Sequence, residues 1–280
     1  MNFNNLENPK RQINALKGEH LKSSELAIVE CLHNREDMDE KSEKYFREFE
    51  KNAEFIDFKS RTEKFQSEIT GDTKEVGTYT ISSVSNTDKY SKDFLDCTGV
   101  LFVGTGAEFG KNISFMSHQN PDALFHNTEV REKFKIELND KIDTLIKHCL
   151  PKTVDVVIFG GNDKKEDISD ILLNDFSFDM NKINENYDDI YSDKNENYRK
   201  SIKFLNHIIS IKLGYSPVVI SGFNDKYNEN NNSATVYFDN DKRQLHIVRP
   251  RQDTVNNESF LASDVEAQIE KINKQNEKSK

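Results

Sequence analysis

Residues 96–121 read DCTGVLFVGTGAEFGKNISFMSHQNP. Two short apolar runs, GVLFVG and ISFM, flank a turn that carries Gly104, Gly106 and Gly110. Runs of this length, bounded by turn residues, have the signature of buried strands. The glycines supply the positive φ that a tight reversal needs. The stretch is therefore expected to be an antiparallel hairpin. Cys97 enters its first strand and His118 leaves its second, so the hairpin brings them side by side. Directly opposed residues in such a ladder lie about 4.5–5.5 Å apart at Cα.

The same glycines come after an apolar run, as they do in a phosphate-binding loop. That mechanism needs a helix to open at the glycines, so that its free amides face the phosphate. The next residues are KNISFMSH, a better strand than helix. The hairpin reading is favoured, because a motif counts only in its required context.

Outward from the hairpin, TYTISSVS alternates and is rich in β-branched residues, which predicts a strand. Residues 128–150 form a helix whose apolar face is Val130, Phe134, Ile136, Leu138, Ile142, Leu145, Ile146 and Cys149. Pro151 stops it. TVDVVIFGG is a buried strand closing on Gly160-Gly161. Residues 174–197 are rich in Asn and Asp and aperiodic, and are expected to be a loop insertion. YRKSIKFLNHIISIKLG is a second helix with Gly214 after its end. SPVVISGF, SATVYFDN and RQLHIVRP are three strands, the last two joined by an Asn240-Asp241 turn.

Upstream, SSELAIVECLHNREDMDEKSEKYFREFEKNAEFIDF spaces its apolar residues at roughly helical intervals. It predicts a helical N-terminal region over 1–72. The body, 73–255, has five or six strands in mixed order with two packed helices. A charged helix or tail, 256–280, ends the chain. Runs of strand without a helix after each one make this an α+β fold, not a doubly wound sheet.

Composition narrows function. The 280 residues carry a net charge of −10, which argues against broad nucleic-acid binding. No apolar run reaches the roughly 20 residues of a membrane span. MNFNNLENPKRQ lacks a secretory pattern, so the chain is expected in the cytosol, or outside it by a route that reads no such signal, as an effector. Cys31, Cys97 and Cys149 are odd in number and far apart, which points to reduced thiols. Neither CxxC nor HExxH occurs, and no metal or cofactor is expected.

A cysteine becomes a nucleophile as its thiolate, and an adjacent imidazole can take its proton. Cys97 and His118 have the spacing for that pair. The bland alternative is a buried thiol and an inert histidine, since Cys is among the most buried residue types. Other candidates have simpler readings. His148 suits a helix C-terminus and Cys149 its apolar face. His126 is expected in a loop, and His246 on a solvated strand face with Arg249 and Arg251 near it. Gly160-Gly161-Asn162 is expected to be a tight turn.

A cysteine leading into a strand, a glycine turn, a strand closing on histidine and a later VVIFGGN resemble the bacterial chemotaxis-receptor glutamine deamidases. The pattern is similar to the catalytic core of the cytotoxic-necrotizing-factor toxins as well. The likeness covers roughly residues 76–252. It implies a β-sandwich-like core, mixed or antiparallel, flanked by helices, with Cys97 as nucleophile, His118 as base and a protein as substrate. The family's third group often lies shortly before the cysteine, and Ser91 occupies a comparable place. The family commonly has a Ser-Gly or Gly-Ser step directly before the cysteine. Here Leu95-Asp96 stands there, and Asp96 would raise the thiol pKa. The implied activity is deamidation of glutamine or asparagine through a thioester. Two alternatives are a non-catalytic interaction protein on the same scaffold, and a metal-assisted hydrolase using Cys97, His118 and His126.

Overall fold

A computed structural model describes residues 26–33, 40–66, 73–108, 110–161, 194–215, 217–220 and 233–250. The fold is α+β. Its strands are β1 (Ala27–His33), β2 (Glu54–Phe55), β3 (Thr62–Gln66), β4 (Thr73–Gly77), β5 (Tyr79–Ile81), β6 (Lys89–Phe94), β7 (Thr98–Thr105), β8 (Asn112–Gln119), β9 (Asp155–Gly160), β10 (Val218–Ile220), β11 (Ala234–Asp239) and β12 (Gln244–Pro250). Its helices are α1 (Glu40–Asn52), α2 (Pro121–His126), α3 (Thr128–His148) and α4 (Lys194–Leu213), with a 3-10 turn at Phe58–Ser60.

Two five-stranded sheets form, in the orders β1-β12-β11-β6-β2 and β10-β9-β7-β8-β5, with β3-β4 as a separate ribbon. Pairing is mixed: β1 with β12, β2 with β6 and β9 with β10 are parallel, and the other pairs are antiparallel.

The sheets stack because the central strands are apolar on both faces. In β7, Leu101 and Val103 join Met116, Val157, Phe159, Val236, Phe238, Leu245 and Ile247 in the core between the sheets. The alternate residues Val100 and Phe102 face the other way. They join Phe115 and Ile158 against Phe134, Leu138, Ile142 and Leu145 of α3 and Ile202, Leu205 and Ile209 of α4. On the far side of the first sheet, Phe46 and Phe49 of α1 cover Tyr237. The order of layers is thus helices, sheet, sheet, helix. Each fully buried Phe, Leu, Ile or Val side chain contributes about 1.5–3 kcal/mol.

The second layer of helices starts where the hairpin ends. The Asn120 side chain accepts from the amides of Asp122 and Ala123, with Pro121 in the first turn of α2. Asn127 caps α3 in the same way through Glu129 and Val130. Both are standard N-caps that satisfy otherwise orphaned amides.

Several elements depart from expectation. AIVECLH, expected to be helical, is strand β1, and it pairs with β12. Among the described residues of that region the α-helical part is α1, and residues 1–25, 34–39 and 67–72 lie outside the described residues. With β2 paired to β6, the sandwich draws on residues well before the expected boundary at 72. KYSKDF is a strand, β6, that had no expectation attached. The β11–β12 turn spans Asn240–Arg243, and Arg243 takes a positive φ of 53°. Residues 194–197 open α4 and are not loop. Residues 174–193 and the expected tail at 256–280 lie outside the described residues. Among the described residues no helix is long and apolar enough to cross a membrane.

Candidate active site

The hairpin forms with Thr98 opposite Gln119 and Thr105 opposite Asn112. Gly99 stands opposite His118. Cys97 immediately precedes β7 and faces the core between the sheets. His118 lies two residues from Met116 of that same core, so strand alternation puts its side chain on that face too. Gly99 adds no side chain between them, and there is no room for one. A Cβ there would lie 2.3 Å from the Phe159 ring.

The backbone around Cys97 is held by the Gly160-Gly161 pair. The Gly161 amide donates to the Cys97 carbonyl at 3.0 Å. Gly160 has φ of 103°, and a Cβ on it would come within 2.3 Å of that carbonyl. Only glycine lets the two backbones approach so closely. The pair expected to be a simple turn therefore also packs against the cysteine.

The opposing sheet supplies the rest. Strand β6 carries Asp93 at φ of 65°, and its register with β11 shifts between Val236–Ser91 and Ala234–Phe94. Such a bulge re-aims side chains. Here it lets both Ser91 and Phe94 face His118. Phe94 stacks on the imidazole at 3.9 Å and 11°, and Phe58 stacks on it at 4.5 Å and 14°.

His118 Nδ1 and Ser91 Oγ are 2.8 Å apart. Ser91 Oγ also donates to the Ile56 carbonyl at 2.7 Å. A hydroxyl has one proton. Since it goes to Ile56, Nδ1 must carry the proton shared with Ser91. In the neutral ring Nε2 is then a bare lone pair, and it is fully buried without a hydrogen-bond partner.

Burial lowers the His118 pKa to about 3, so the ring is neutral. The Cys97 thiol is pushed well up, first by burial and then by the carboxylates of Asp96, Asp122 and Asp93. The resting pair is a neutral thiol and a neutral imidazole, with no hydrogen bond to Nε2. The expected thiol–imidazole hydrogen bond is not made. Cys97 is 8% exposed and His118 0%. The site is closed.

The glycine turn at 104–110 lies at the opposite end of the hairpin. By strand rise it is about 25 Å from Cys97, too far to stabilise an oxyanion there. Phe58, Phe94 and the Ile56 carbonyl were not foreseen. Phe94 stood in an unrecognised strand, and nothing in the sequence marks an aromatic in a turn as a neighbour of His118.

The other candidates separate from the site. His126 is exposed, and its Nδ1 donates to the Asp122 carbonyl within α2 at 2.8 Å. Among the described residues no group of three His, Cys, Asp or Glu side chains could hold a metal. His148 Nδ1 donates to the Thr144 carbonyl at 2.8 Å, while Cys149 is buried. His246, expected in solvent, is instead 9% exposed beneath α1, near Tyr45 and Phe46. The strand face it occupies is covered by a helix. The side chains of Arg249 and Arg251 lie outside the described residues.

Comparison with known proteins returns no match to a protein-family model, a curated protein or a solved structure.

Proposed function

We propose that this chain is a cysteine-dependent amidohydrolase that deamidates a glutamine or asparagine side chain of a protein. The observation that supports this best is the Ile56–Ser91–His118 chain of hydrogen bonds. It fixes the tautomer that leaves Nε2 free as a base, on the same face as Cys97. An unpaired buried imidazole nitrogen costs about 1–3 kcal/mol. A proton acceptor held in reserve is a use that gives that cost a purpose.

In the proposed reaction Nε2 takes the proton of Cys97 as Sγ attacks the carboxamide carbon. The tetrahedral oxyanion forms beside backbone amides near Cys97. Its collapse breaks the C–N bond, and the imidazolium returns the proton to the leaving ammonia. Water, deprotonated by Nε2, then attacks the thioester. The product is a carboxylate, and the thiol is regenerated. The setting is a cytosol, of the producing cell or of one that receives the protein.

A second reading has its own observation. The closed site, with a raised thiol pKa and both imidazole faces covered, suits a scaffold that keeps the core but does no chemistry.

Ammonia release from glutamine-rich proteins separates the two. The wild type should release ammonia, and Cys97→Ser and His118→Ala should not. A Cys97→Ser variant as active as the wild type would remove the nucleophile from this proposal, and the scaffold reading would lead.

A further inference from the structure

His118 has two faces, and they are covered differently. Phe94 is fully buried. Phe58 is only partly buried, and it packs against the inter-sheet core. Its ring lies nearly parallel to the imidazole, at 4.5 Å and 14°.

Phe58 opens the short 3-10 turn 58–60 between β2 and the β3-β4 ribbon. The base of this turn is anchored. The Ile56 amide donates to the Tyr90 carbonyl at 2.9 Å, and Thr80 Oγ1 donates to the Asp57 carbonyl at 2.8 Å. The Asp57 side chain caps the turn, accepting from the Lys59 amide at 2.9 Å, and the Lys59–Asp93 pair at 3.7 Å, with side chains 72% and 55% exposed, ties its tip. Ion pairs that exposed contribute little. Behind the ring sits Gly77 at the end of β4. A Cβ there would lie 2.8 Å from the ring and 3.1 Å from the Phe58 carbonyl. The missing side chain is what seats the ring.

The geometry points to Phe58 as the gate of the Cys97–His118 site. With the ring seated against Gly77, the imidazole is sealed. With the ring swung out about its own side-chain bonds, His118 meets solvent and a substrate side chain can enter, while Ser91 and Ile56 keep their hydrogen bonds. The class of molecule admitted, a protein carboxamide, rests on the function proposed above. The gate itself does not.

The test is chemical labelling with peptide mapping, and it needs no turnover. Diethyl pyrocarbonate reports on His118 and iodoacetamide on Cys97. Cys149, as buried as Cys97 at 8% exposure, serves as the internal reference. In Phe58→Ala, labelling of His118 and Cys97 should rise about tenfold or more, with Cys149 unchanged, because only local opening has become easier. Phe58→Leu, which keeps most of the apolar volume, should give an intermediate rise and covers the case in which the alanine variant does not fold. Unchanged labelling of His118 in a folded variant overturns the gate. So does a parallel rise at Cys149, which would mean global loosening. If no variant releases ammonia while the labelling pattern holds, the enzyme reading has failed and the gate has not.

Discussion

At the scale of single residues, the informative feature is which nitrogen of His118 is spent. Ser91 takes Nδ1, so the burden of burial falls on Nε2. Protonating this ring inside the fold would add an uncompensated charge between two aromatic faces. The sign comes from linkage. The folded pKa, about 3, lies below the ordinary 6.5, so the unfolded chain binds the proton more tightly. The neutral ring's stability is fully present above pH 6.5. It drains away as pH falls from 6.5 toward 3, by about a few kcal/mol in all. His118→Asn should flatten this part of the stability curve relative to the wild type. Urea midpoints between pH 7 and pH 4 check it, and parallel curves for the two proteins would contradict the assignment. The hairpin that carries Cys97 and His118 could be read from the sequence, but its register, which sets His118 opposite Gly99 and not opposite Cys97, could not. Nor could the aromatic sandwich. Stacking across two sheets depends on how those sheets are superposed, which no local pattern encodes.

At the scale of elements, legibility tracks the apolar pattern. Strands β7 and β9 and helix α3 are plain, since their buried faces are apolar at the right period. Strand β6 is hidden because its inward positions are Lys89 and Ser91, both fully buried. A strand that buries polar side chains loses the alternation that marks it, and here the exception carries a candidate site residue. Strand β1 escapes for a different reason. LAIVECL is a short apolar run that fits either period, and the parallel partner that decides it, β12, lies more than 200 residues away. Helix α1 illustrates the reverse dependence, of a residue on an element. Phe46 stacks on Tyr237 at 4.4 Å and 30°, and α1 closes over His246. Burial lowers the His246 pKa, Asp239 raises it and Lys242 lowers it, with Tyr45 and Tyr237 as further titratable neighbours among the described residues. Phe46→Ala should cost about 3 kcal/mol. It should also let the His246 pKa climb toward its ordinary value while that of His118, in the core beneath the sheet, stays put. An NMR titration of the two rings reads both, and an unmoved His246 would mean that α1 is not what shields it.

At the scale of the whole molecule, the two ends of the sandwich are closed by different chemistry. Around Cys97 the closure is aromatic: Phe58, His118, Phe94 and Phe159. At the other end it is polar. Lys89 of the first sheet donates to Ser114 of the second at 3.1 Å, and Ser114 donates to Asn240 at 2.8 Å. Arg243, in the same turn, reaches across to Asp155 at 2.6 Å, to the Asn112 side chain at 3.0 Å and to the carbonyls of Val103 and Thr153. Directional bonds between charged and polar groups hold one relative position of the sheets, whereas stacked rings slide and swing at little cost. The polar end should therefore act as the clasp, and the aromatic end should open first. Arg243→Met tests this division. It strands the buried Asp155 carboxylate and should cost about 3–5 kcal/mol, the usual penalty for breaking a buried ion pair. Under conditions where the variant remains folded, labelling of Cys97 should stay near the wild-type rate, since strand rise puts the lost bonds about 20 Å or more from it. A loss of stability below about 1 kcal/mol, the worth of an ordinary exposed pair, would show that this end is no clasp. Faster labelling of Cys97 in that variant would show that the two ends open together.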